Sequence, residues 1–88
     1  MTRRGKRRKK PYPHNSDIIN AIMNVLSKEP FIRPIDFPDK VKAELEKEGF
    51  YIGLVSTRRI WRLYEEAVRR GILYDYLGVV NYEEWIEE

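Results

Sequence analysis

Three stretches of the chain repeat apolar residues at helical spacing. In "SDIINAIMNVLSKEP", Ile18, Ile19, Ile22, Val25 and Leu26 fall on one helical face. Ser16 is expected as the N-cap with Asp17 in the first turn, and Pro30 ends the run. In "PDKVKAELEKEG" the stripe is thin: Phe37 leads in, then Val41 and Leu45, with Ala43 off to one side. Pro38 suits a first turn, and Gly49 is the expected residue after the helix. "STRRIWRLYEEAVRRG" has the clearest pattern. Ser56 caps it, Gly71 stops it, and Ile60, Leu63, Tyr64, Ala67 and Val68 form one continuous face.

Between these helices the pattern is extended. "PYPHN" is a hinge, because the residue before each Pro is pushed out of helical space. "FIRPIDF" is short, apolar and interrupted by Pro34, which predicts a brief edge strand or an extended connector. "ILYDYLGVVNY" holds two β-prone runs around Leu77 and Gly78, which predicts a small hairpin. Asn81, with Glu84 three residues on, predicts a last capped turn. The expected organisation is a basic flexible tail and hinge over 1–15, a domain over 16–82 and an acidic C-terminal turn over 83–88. The expected class is α+β, mostly α.

Charge changes this picture. The chain has 17 Lys and Arg against 14 Asp and Glu. Seven of those cations are Arg3, Arg4, Lys6, Arg7, Arg8, Lys9 and Lys10, with no acid among residues 1–10. The remaining 78 residues are therefore net −4. A tail this polar cannot offset the entropy of ordering by burial, so by itself it is expected to be disordered. Its charge points to a polyanionic partner.

The order helix, strand, helix, helix, hairpin resembles the winged-helix superfamily over about residues 16–82. The stretch "STRRIWRLYEEAVRRGILYDYLGVV" carries most of the likeness: a capped helix, a glycine stop, then a run into the wing. The resemblance implies three helices with a short strand and a C-terminal β-hairpin wing, and a third helix whose N-terminal part enters the major groove. Two features depart from that family. The connector from Phe50 to Val55 is longer than the usual turn, and the wing has no Lys or Arg.

On a wheel of about 100° per residue, Arg58, Arg62 and Arg69 fall opposite the core face of the third helix. Arg59 and Arg70 flank them, and Trp61 sits at the core border. Glu65 to Arg69 and Glu66 to Arg70 have the order that favours ion pairs along a helix. The candidate nucleic-acid contacts are Arg58, Arg59, Arg62 and Arg69, together with the seven tail cations. The bland alternative for the helix is a solvated face.

The expected function is nucleic-acid binding. DNA is favoured over RNA, as in a small archaeal- or viral-type transcription regulator or DNA-associated protein. One alternative is an RNA-binding, ribosome-associated protein, since small winged-helix ribosomal proteins also carry a basic tail before the first helix. Another is a protein-interaction module or homodimer using Phe50 to Val55 or Trp85. Catalysis is not expected: there is no Cys, no phosphate-cradling glycine loop, and His14 is the only histidine. No metal or other cofactor is expected for the same reasons. No run of 18 apolar residues predicts a membrane span. The basic start runs into Pro11, Pro13 and His14 instead of an apolar segment, so no secretory signal is read and a cytoplasmic location is expected. Gln is absent while Glu, Lys and Arg abound, a usage resembling that of hyperthermophile proteins.

Overall fold

The computed structural model describes residues 10–80. Its elements are α1 (Asn15–Lys28), a 3₁₀ turn (Pro34–Asp36), α2 (Phe37–Lys47) and α3 (Thr57–Arg69). Each helix packs against the other two. Their apolar stripes meet in one core. Ile18, Ile22, Val25 and Leu26 come from α1, Phe37, Val41 and Leu45 from α2, and Ile60, Leu63, Tyr64 and Val68 from α3, with Val55 from the connector. Phe37 and Tyr64 in this core and the half-buried Trp61 packed against it form an aromatic triad, with ring centroids 5.3–5.7 Å apart. Edge-on and tilted aromatic contacts of this kind add to simple burial.

Helix ends follow local chemistry. The Ser56 Oγ accepts the Arg59 backbone N–H at 3.0 Å and caps α3. Gly71 takes φ +78 just past α3, a conformation that favours glycine. At α1 the start differs from expectation. His14 is the N-cap, Ser16 lies inside the first turn, and the Asp17 carboxylate accepts the His14 N–H at 2.9 Å. Asp17 thus reaches back from the third helical position, as the acid of a capping box does.

The expected β structure is not found: among residues 10–80 there is no strand. The winged-helix assignment of fold, with its strand and hairpin wing, is therefore corrected to three helices and irregular connections. Two local causes account for this. In "FIRPIDF", Pro34 sits at the first position of a 3₁₀ turn that runs straight into α2, where its fixed φ is already suitable and its missing N–H costs nothing. Arg33 clips that turn through its ion pair to Asp36 at 3.0 Å.

In "ILYDYLGVV", the Asp75 carboxylate takes the backbone N–H groups a hairpin would have used. Its Oδ1 accepts from Gly78 at 2.9 Å and Val79 at 3.3 Å, and its Oδ2 accepts from Val80 at 3.1 Å. The buried Tyr64 hydroxyl donates to the same Oδ1 at 2.5 Å and accepts the Leu77 N–H at 3.1 Å. A short acidic side chain that bonds nearby backbone in this way competes directly with a strand ladder. The segment is therefore a knot tied to α3. The end of the expected hairpin at 81–82 and the capped turn beginning at Asn81 lie outside the described residues.

Polar contacts close the outer seam of α1 and α2. Glu44 accepts from Lys28 Nζ at 3.2 Å, and Asn24 Nδ2 donates to Glu48 at 3.2 Å. The Glu44 side chain is only 10% exposed. Burial there pushes its carboxyl up, but the Lys28 hydrogen bond and the charges of Lys28 and Lys47 outweigh this and hold it below the ordinary carboxylate value.

Candidate nucleic-acid interface

The candidate face is built around the N-terminal half of α3. Ser56 sets the first turn, and the buried run Ile60, Leu63 and Tyr64 fixes the rotation of the helix. That rotation sends Arg58 and Arg62 outward. Both are exposed, and neither has a hydrogen bond or ion pair among the described residues. They stand one turn apart on the same side of the helix.

Arg59 is engaged differently. Its Nε and Nη2 donate to Asn15 Oδ1 at 3.2 and 2.9 Å, and Nη2 also donates to the Pro13 carbonyl at 3.3 Å. The guanidinium fork thus ties the start of α3 to the segment that enters α1. The neighbouring residues tighten the join. Pro13 is buried, and the Tyr51 N–H donates to the Pro11 carbonyl at 2.9 Å. The Tyr12 and Tyr51 rings lie 5.4 Å apart. The hinge segment 11–15 is held to the body by these contacts, and Lys10 just before it is exposed. The sequence hinted at this only through the alternation of Pro11, Tyr12 and Pro13. The partner of Arg59 is 44 residues away and has no local signal.

The other candidates are spread more widely. Arg69 is paired with Glu65 at 2.6 Å and its side chain is 18% exposed, so it does not stand open with Arg58 and Arg62. Arg70 pairs with Glu66 at 2.8 Å. Arg3, Arg4, Lys6, Arg7, Arg8 and Lys9 lie outside the described residues, as does Trp85.

The connector expected to dock a partner is largely used by the core. Val55 is buried, Phe50 and Ile52 pack against the core, and among its apolar residues Tyr51 and Leu54 are exposed. Elsewhere Phe31 and Ile35 stand out, at 95% and 79% exposed. Among the described residues no group of His, Cys, Asp and Glu could hold a metal ion, and no helix is long and apolar enough to cross a membrane. No protein-family model, no curated protein and no solved structure matches the chain.

Proposed function

We propose that this protein binds nucleic acid, with duplex DNA as the favoured partner, through one basic face formed by α3 and the N-terminal tail. The observation that supports this most is the Arg59 clamp. By holding Pro13 and Asn15 it fixes the segment that follows the tail to the first turns of α3, the helix that carries Arg58 and Arg62. The seven tail cations belong to a chain whose other 78 residues are net acidic, so charge available to a polyanion is concentrated in the tail and in Arg58 and Arg62. Extended, residues 3–10 reach at most ~28 Å, roughly the axial rise of eight nucleotides at about 3.4 Å each. Phosphate contacts by the tail supply affinity, and Arg58 and Arg62 supply base or phosphate contacts from the helix. Arg59 serves as the positioning residue.

Binding of the full chain to a duplex across a salt series tests this. Deleting residues 1–10 removes the tail charges and leaves the Pro11 anchor. The log–log salt slope should then fall by several units, at about 0.9 per phosphate released. An unchanged slope would refute the role of the tail.

A second reading, docking of a protein partner, is favoured by the exposure of Phe31 and Ile35. Self-association that disappears in a Phe31→Ser variant would support it.

A further inference from the structure

Tyr12 and Tyr51 are aromatic rings left in solvent where the tail leaves the body. Tyr12 is 61% exposed and Tyr51 is 44% exposed. Their centroids are 5.4 Å apart and their planes are inclined at 41°. The backbone on both sides is pinned. The Tyr51 N–H is held by the Pro11 carbonyl, Pro13 is buried directly after Tyr12, and Arg59 grips the Pro13 carbonyl. The Tyr51 ring also folds over its own chain. A Cβ at Gly53 would lie 2.2 Å from the Tyr51 hydroxyl, so this ring position requires a glycine there. The two rings are thus presented in a set place, with the exposed cation Lys10 two residues before Tyr12.

Open aromatic faces beside cations are the combination that holds single-stranded nucleic acid. The base stacks on the ring, and the phosphates on either side meet positive charge. We propose that Tyr12 and Tyr51 form a stacking site for an unpaired DNA base, so that the preferred ligand is a duplex with a single-stranded extension. This rests on the nucleic-acid reading above. In an intact duplex the bases stack on one another and show only their edges in the grooves. The rings therefore gain nothing from the interior of a duplex, whereas an overhang offers unpaired bases to Tyr12 with Lys10 close by in the chain to meet their phosphates.

The test uses the full chain, a blunt duplex, and the same duplex extended by a short single strand containing 2-aminopurine. The extended duplex should bind about five- to a hundredfold more tightly, with 2-aminopurine fluorescence quenched on binding. Tyr12→Leu and Tyr51→Leu should lose that advantage and the quench while keeping the affinity for blunt duplex. Tyr12→Trp should keep both. Thermal melts establish that the variants are folded. Equal binding of blunt and extended duplexes by the wild type, or equal loss of both by the leucine variants, would overturn the stacking site and leave the nucleic-acid reading standing. Failure of the full chain to bind any DNA would overturn both. Tighter binding of the same extension made of RNA would overturn its assignment to DNA.

Discussion

The knot around Asp75 makes a quantitative prediction for Tyr64→Phe. Tyr64 is fully buried, so its hydroxyl must find protein partners, and it has two at the knot. The substitution removes a hydrogen bond to a carboxylate, a class that contributes about 1.5–3 kcal/mol. It also leaves the Leu77 N–H without its acceptor. The ring stays, so packing with Phe37 and Trp61 is kept and no cavity forms. Asp75 retains the N–H groups of Gly78, Val79 and Val80, so its charge remains solvated by backbone. The net loss should be about 2 kcal/mol. For a domain of this size that lowers Tm by roughly 8–16 °C.

Asp75→Ala should cost about as much or more, because it removes the acceptor of the Tyr64 hydroxyl and frees three backbone N–H groups. The double variant should cost about 1–2 kcal/mol less than the sum of the singles, since both changes break one network. Urea unfolding can follow the fluorescence of Trp61, which touches Tyr64 directly. Amide exchange at residues 77–80 supplies the local readout. If Tyr64→Phe lies within about 0.5 kcal/mol of wild type, with protection at 77–80 unchanged, the knot does not hold this segment and the reasoning fails.

Arg59→Ala should destabilise by about 1–2 kcal/mol through loss of its bonds to Pro13 and Asn15, with Arg59→Lys recovering only part because an ammonium lacks the fork; by the same denaturation assay, Arg58→Ala and Arg62→Ala should stay within about 0.5 kcal/mol of wild type. Glu44 has a folded-state pKa below its ordinary value of 4.5, so the stability it adds is present above that value and is lost as pH falls through the folded pKa. Glu44→Gln should therefore flatten the acid side of the stability profile below about pH 4.5, and a profile that keeps its wild-type shape would count against the seam. Leu63→Ala, at a site 1% exposed, should cost about 2–5 kcal/mol in urea unfolding, and a smaller loss would mean that α3 is rotated from the described packing.

The helices and their buried faces could be read from residue order, because helical periodicity and stops are local, although at α1 His14 takes the cap position expected of Ser16. Every core residue of α3 was placed by spacing alone, and Ser56, Gly49 and Gly71 act at the ends where they were expected. The division of charge was equally plain, since it depends on composition. The connecting segments were not legible. "FIRPIDF" and "ILYDYLGVV" have the residues of strands, but a strand exists only if another offers it a ladder, and here Pro34 opens a helical turn while Asp75 captures the free N–H groups. The outward direction of Arg58 and Arg62 followed from the wheel. Arg59 could not be separated from them, because what distinguishes it is Asn15, brought within 2.9 Å only when α1 and α3 pack together. Spacing along one helix sets which way a side chain points; which group it meets there is decided by the tertiary contacts of the packed helices.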